Sequence, residues 1–168
     1  MNKTGEFYKR LINILEKSGA EFKLFTHQPA RTYEELARAQ QEAGFVGTEG
    51  KCMVLRADER FIVYITIQGE KVDIDRIKKA LNLKNLHLAN HDELRDQFGA
   101  EPGCAYPFGF GAEVDIYVDP QVYNLEWFLF SPVLPTKTVQ LRGSDLKKIF
   151  SFVENNVIEK NFNQTNER

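Results

Sequence analysis

The chain has 168 residues, of which 42% are hydrophobic and 27% charged, with thirteen Phe, six Tyr and one Trp. That fits one globular domain with its own core and excludes a chain disordered throughout. A formal net charge of −2 and a pI near 6.0 exclude a strongly basic nucleic-acid binder and leave room only for a local RNA contact.

The opening MNKTGEFYKR has no apolar stretch of the kind a secretory signal needs, and no apolar run approaches the ~18 residues of a membrane span. Residues 6–18 read as an amphipathic helix, with Phe7, Leu11, Ile14 and Leu15 on one face and Gly19 as its stop. EFKLFTH alternates as a short strand that His27-Gln28-Pro29 breaks. Thr32 followed by Glu35 has capping-box spacing and predicts a helix from about Tyr33 to Ala43, with Gly44 as its stop. GFVGTEG reads as a loop. CMVLRA and FIVYITI, divided by Asp58-Glu59-Arg60, predict a β-hairpin, and the second strand is apolar on both faces, as a central strand would be. VDIDRIKKALN reads as a short helix, LHLA as a short strand, and Asn90 with Glu93 as the cap of another helix over HDELRDQF. After the Gly- and Pro-rich FGAEPGCAYPFGFGAE come three strands, VDIYVD, LEWFLFS and TVQLR, and a helix DLKKIFSFVENNV opened by Ser144. This order predicts a single α+β domain, with a mixed β-sheet or partly closed barrel as its core and helices on its flanks. Residues 1–150 are expected to form the domain, and 151–168 the end of the C-terminal helix and a frayed polar tail.

Several chemical motifs fail on spacing. Gly47-Thr48-Glu49-Gly50-Lys51 lacks the first glycine and the final Ser/Thr of a phosphate loop, with Phe45 and Cys52 in those places. His87 and His91 stand four apart, but Asn90 starts a helix between them and no further ligand lies at metal spacing. Cys52 with His27 lacks the local signature of a thiol nucleophile, and a buried strand cysteine is the simpler reading. With two cysteines, Cys52 and Cys104, the chain cannot hold a disulfide framework, so a reducing cytoplasmic setting is expected. Two features remain. Lys51 stands at the mouth of an inner strand. The segment Gly99-Ala100-Glu101-Pro102-Gly103, followed by Tyr106-Pro107-Phe108-Gly109, forms a stiff, tightly turned loop; it reads either as a surface turn or as a clamp whose backbone N–H groups approach a ligand closely.

These residues carry a family resemblance over about Leu11 to Phe150. The strand ending in His27-x-Pro29, Thr32 opening the next helix and Lys51 leading Cys52-Met53-Val54-Leu55-Arg56 are its first landmarks. Asp73-Ile74-Asp75-x-x-Lys78-Lys79-x-Leu81, Gly103-x-x-x-Pro107-Phe108-Gly109 and Leu141-x-x-x-Asp145-Leu146 follow in order. Together they resemble the YbaK/ProX family of aminoacyl-tRNA deacylases, whose fold is also the editing insertion of bacterial prolyl-tRNA synthetases. The resemblance implies trans hydrolysis of the ester on a mischarged tRNA, with no metal or cofactor. It makes Lys51 the functional lysine, acting on a phosphate, on the ester carbonyl or as a base. It implies a pocket built by Gly103, Pro102, Gly99, Tyr106, Pro107, Cys52, His27, Thr32 and Thr138. For His27 a structural strand end, and for Thr32 a helix cap, are the alternative roles. The implied partner is the acceptor end of a misacylated tRNA, with an aminoacyl-tRNA synthetase as a further candidate, no DNA, no membrane, and a monomer or weak homodimer. Residues 51–84 hold eight Lys/Arg against five Asp/Glu, a local excess that suits an acceptor end or simply a solvated face. The chain departs from the family at Cys52, where Thr or Asn is common, at Tyr106, where Ser is usual, and at Thr138, where Asp is frequent. Ser131-Pro132-Val133-Leu134-Pro135-Thr136 replaces a Gly-rich loop and makes one wall more apolar and stiffer. Two rival readings are a silent homologue that binds tRNA or a synthetase, and a hydrolase of a small non-tRNA ester.

Overall fold

The computed structural model describes residues 2–165. Helix α1 (Lys3–Ser18) is capped by the Asn2 side chain and ends at Gly19 in a left-handed conformation. It buries Leu11 and Leu15 fully, with Phe7 and Ile14 packed beside them. Strand β1 (Phe22–Thr26) and helix α2 (Tyr33–Ala43) follow, and the Thr32 side chain caps α2 by accepting from the Glu35 N–H. The hairpin of β2 (Thr48–Ala57) and β3 (Arg60–Ile67) comes next, then α3 (Ile74–Ala80), β4 (Leu86–Leu88) and α4 (His91–Phe98), whose Asn90 and Glu93 form a reciprocal capping box. After the Gly/Pro loop come β5 (Asp115–Val118), a 3-10 turn (Pro120–Asn124), β6 (Phe128–Phe130), β7 (Lys137–Leu141), α5 (Gly143–Phe150) and β8 (Val157–Glu159).

The eight strands form one mixed sheet in the order β1-β7-β6-β2-β3-β5-β8, with β4 on β2. Parallel pairs join β6 to β2, β3 to β5 and β5 to β8, and the other pairs are antiparallel. β3 is central, as its two apolar faces require. The mixed α+β reading holds, but the sheet is not closed into the partial barrel expected as one form of the core. The reason lies in β2: it pairs β6 at Thr48–Glu49 and β4 at Leu55–Ala57 on the same edge, so the sheet branches there rather than curling round.

The two faces of the hairpin build two cores. Val54, Val63 and Ile65 pack with α1, α5 and the aromatic run Phe98, Tyr106, Phe108 and Phe110. Leu55, Ile62 and Tyr64 pack with Ile77 of α3, Tyr117 and Phe162. Two elements differ from the sequence reading. GFVGTEG is not all loop, because β2 already begins at Thr48. The last helix stops at Phe150, and the predicted helix end and frayed tail are instead an ordered segment containing β8. Asn155 donates to the Gly111 and Val114 carbonyls at 2.8 Å each, and the Asn156 carbonyl accepts from the Ile116 N–H at 2.9 Å, which delivers the chain to the edge of β5. Phe162 is then buried against Tyr64 and Tyr117. Asn163 is also buried: it donates to Thr66 Oγ1 at 3.0 Å and Asp119 Oδ2 at 2.9 Å and accepts from the Tyr64 hydroxyl at 2.9 Å. Asparagine composition reads as solvated tail, but here the amides are satisfied inside the fold. Residues 166–168 of that predicted tail lie outside the described residues.

Candidate functional site

A cavity of about 880 Å³ opens where β2 has no strand beside it. The parallel ladder with β6 ends at Glu49 and the antiparallel ladder with β4 begins at Leu55. The Gln68 N–H donates to the Glu49 carbonyl, so the odd residues of β2 pair with β3 and the even ones turn their amides to the other edge. The Val54 carbonyl takes the Ala89 N–H at 2.9 Å. The amide and carbonyl of Cys52, between the two ladders, have no strand to meet.

Three structures close around this bare edge. The start of α2 contributes Thr32, Tyr33 and Leu36; the start of α4 contributes Asn90 and His91; the Gly/Pro loop contributes Pro102, Gly103 and Ala105. Both helices present their positive N-terminal ends to the space. Phe130 and Ser131 form a further wall, and β2 supplies Glu49, Gly50, Cys52 and Val54. The loop is locked to α2. Arg31 pairs with Glu101 at 2.7 Å, and Gly103, at φ +85°, sits where a Cβ would overlap the Arg31 carbonyl oxygen. No other residue type fits that backbone without displacement. The Gly103 N–H has no hydrogen-bond partner among the described residues. Behind Ser131, Val133 holds φ +71°, a left-handed conformation that a β-branched residue rarely takes.

Sequence reasoning passes over the buried charged group of the cavity lining, Glu49. It is 7% exposed, and its Oε1 is buried without a hydrogen-bond partner. Burial pushes its pKa up to about 7. Burial, and then the Glu49 carboxyl, raise the Cys52 thiol, so Cys52 stays protonated and is no activated nucleophile. Burial, with Cys52 and Glu49 beside it, pushes the Tyr33 phenol up to about 12, which keeps it a neutral donor. The segment around Glu49 reads in sequence as a failed phosphate loop; an acidic residue just ahead of an apolar strand was the available signal.

Of the residues predicted for the pocket, the structure gathers Cys52, Thr32, Pro102 and Gly103 at the cavity. Thr32 is at once lining and helix cap. The others lie elsewhere. Lys51 does not line the cavity: its ammonium donates to the Glu70 carbonyl at 2.8 Å, on the face of β2 that Met53 and Leu55 turn toward α3. His27 and Thr138 meet each other, Nε2 to Oγ1 at 2.7 Å, while Nδ1–H donates to the Gln28 carbonyl at 2.7 Å, so they tie the end of β1 to β7. Tyr106 is a core residue whose hydroxyl donates to the Phe98 carbonyl at 2.7 Å. Pro107 is buried beside it, and Gly99 caps α4 at φ 65°. His87 pairs with Glu93 at 3.3 Å rather than with His91. Among the described residues no group of three or more His, Cys, Asp or Glu is placed to hold a metal ion, and no helix is long and apolar enough to cross a membrane.

Comparison with known proteins agrees with this architecture. The Multifunctional Ser/Thr-tRNA deacylase ProXp-y of Escherichia coli is 22% identical over 154 residues, which cover 89% of this chain and 91% of that protein. The proline–tRNA ligase of Bacillus velezensis is 35% identical over 72 residues, 43% of this chain but only 13% of the ligase. That of Bacillus subtilis is 32% identical over 99 residues, 57% of this chain and 17% of the ligase, so the chain spans less than a fifth of either. A crystal structure described as a candidate trans-editing enzyme for prolyl tRNA synthetase shares the fold, with a TM-score of 0.69 at 18% identity over 91% of this chain and 95% of that one. The family profile of the aminoacyl-tRNA editing domain matches residues 27–149, well over half of the chain, and the protein belongs to that family.

Proposed function

We propose that this protein is a trans-acting deacylase that hydrolyses the ester between a wrong amino acid and the 3′ end of its tRNA. The observation that carries the reading is the cavity of about 880 Å³ built on the bare edge of β2 in a member of the editing family. That volume suits a small ligand, with the aminoacyl group inside and the terminal adenosine at the mouth. A water oxygen attacks the ester carbonyl carbon, charge develops on the carbonyl oxygen, the bond to the ribose oxygen breaks, and that oxygen takes the proton that the attacking water gives up. The groups available to stabilise the developing charge are the amides of Cys52 and Gly103 and the two helix N-termini. Leu36, Cys52, Val54 and Phe130 form the walls that size the amino acid, with about 1–3 kcal/mol of discrimination per methylene.

Lys51 acts outside the cavity in this reading. It lies on the face of β2 that Met53 and Leu55 turn toward α3, and the chain carries Lys71 just ahead of that helix and Arg76, Lys78 and Lys79 within it. A phosphate of the acceptor end is the fitting ligand for that surface. The partner is then the acceptor end of a misacylated tRNA in the cytoplasm, with a synthetase as a second candidate.

The test is deacylation of a panel: alanyl- and cysteinyl-tRNA for proline, and seryl-, threonyl- and alanyl-tRNAs of their own identities. At least one is expected to be cleared by the wild type, with no loss after chelator treatment, and to persist with Gly103→Ala. Clearance of none would overturn the proposal.

A further inference from the structure

Glu49 takes no part in the steps above, yet it is the feature of the cavity that most needs a ligand. It lines the space while 7% exposed, and its Oε1 is buried with no hydrogen-bond partner among the described residues. No Lys, Arg or His among them stands within ion-pair distance of it. The nearby cations are committed elsewhere: Arg31 to Glu101, and Lys51 to the Glu70 carbonyl. A carboxylate withdrawn from water with no partner is costly, and a protein that keeps one beside a cavity leaves a place for a positive charge.

Every aminoacyl ester carries such a charge, one carbon from the carbonyl that is attacked. We propose that Glu49 is the counter-ion for the α-ammonium of the bound aminoacyl group, and that it selects free aminoacyl groups over hydroxyacyl ones. The inference rests on the deacylase reading and specifies how that site recognises its substrate. Ion pairing holds the α-carbon at the Glu49 end of the bare β2 edge, with the carbonyl carbon one bond away. Burial has already raised the Glu49 pKa to about 7, near the ordinary range of an α-amine, about 7.7–8.0.

The test uses 3′-amino-3′-deoxyadenosine carrying alanine or lactic acid through a stable amide, and the matching serine and glyceric acid pair. Within each pair only the ammonium and hydroxyl differ. Calorimetric titration at pH 7 is expected to show the amine-bearing member binding roughly tenfold to a hundredfold tighter to the wild type, the range for a hydrogen bond to a charged group. In Glu49→Gln, which keeps the shape and removes the charge, the ratio is expected to fall to within about threefold. Equal binding of both members to the wild type would overturn the proposal whether or not the variant folds. So would an unchanged ratio in a folded Glu49→Gln, or no binding of either pair. Amine-dependent binding without hydrolysis of any tRNA would keep the counter-ion and remove the deacylase reading; hydrolysis with amine-independent binding would do the reverse.

Discussion

Glu49→Gln is expected to stabilise the protein at alkaline pH and to change little near pH 4.5. In the unfolded chain the carboxyl titrates at its ordinary 4.5, whereas in the fold burial holds the proton to about pH 7. Below the lower value both states carry the proton, and the wild type and the glutamine variant are matched in charge. Between the two values the unfolded state has lost a proton that the native state keeps, so wild-type stability falls as pH rises, by roughly 1.4 kcal/mol per pH unit. Above pH 7 both states are ionised and the deficit levels off at about 3 kcal/mol, a large part of the ~5–15 kcal/mol that holds a domain together. The amide of Gln has the same shape and no charge to desolvate. Urea unfolding of both proteins at pH 5 and pH 8 measures the effect. The gap between them should widen by about 2–3 kcal/mol in favour of the variant over that range. A gap independent of pH would refute the reasoning, because it would mean that the carboxylate is ionised and compensated within the native fold.

Phe162→Ala should cost roughly 3–5 kcal/mol in urea or thermal unfolding, as for other fully buried aromatic residues, although it lies in a segment whose composition reads as tail. A loss under 1 kcal/mol would show that the segment is not docked in solution. Gly103→Ala should be destabilised by about 1–3 kcal/mol as the loop shifts to clear the Arg31 carbonyl, with loss of deacylation beyond what its residual folding explains. Lys51→Ala should raise KM for the tRNA substrate about tenfold while leaving kcat within about threefold, and should leave cleavage of a phosphate-free aminoacyl adenosine unchanged. A fall in kcat on the adenosine ester would place the lysine at the carbonyl instead.

The parts of the fold that depend on neighbours in the chain were legible. The β2–β3 hairpin shows as two apolar runs around Asp58-Glu59-Arg60, and the caps at Thr32 and Asn90 follow from side chains three residues apart. What depends on distant partners was not. β8 exists because β5 offers it an edge some forty residues earlier. The buried state of Asn163 depends on Thr66 and Asp119. Tyr106 sits in a loop whose turn residues suggest a clamp, yet the Phe98 carbonyl and the surrounding rings draw it into the core. His27 and Thr138 both stand out in the sequence and do touch, but as a brace 111 positions apart in sequence rather than as a pocket wall. The loop residues Pro102 and Gly103 were found because the backbone itself demands their types. Glu49 was missed because nothing local distinguishes a buried glutamate from a solvated one; its environment comes from β6, α2 and the gap in the sheet.

That gap gives β2 an uneven clock for hydrogen exchange. The amides of Lys51 and Met53 are locked to β3 and should exchange only with opening of the hairpin, while Cys52 between them should exchange on the timescale of a surface loop. A single fast amide in the middle of a slow strand is therefore a natural reporter. An occupant that reaches the sheet edge slows Cys52 and leaves its two neighbours as they were, whereas one that stops at the rim, among Arg31, His91 and Asp92, leaves all three unchanged.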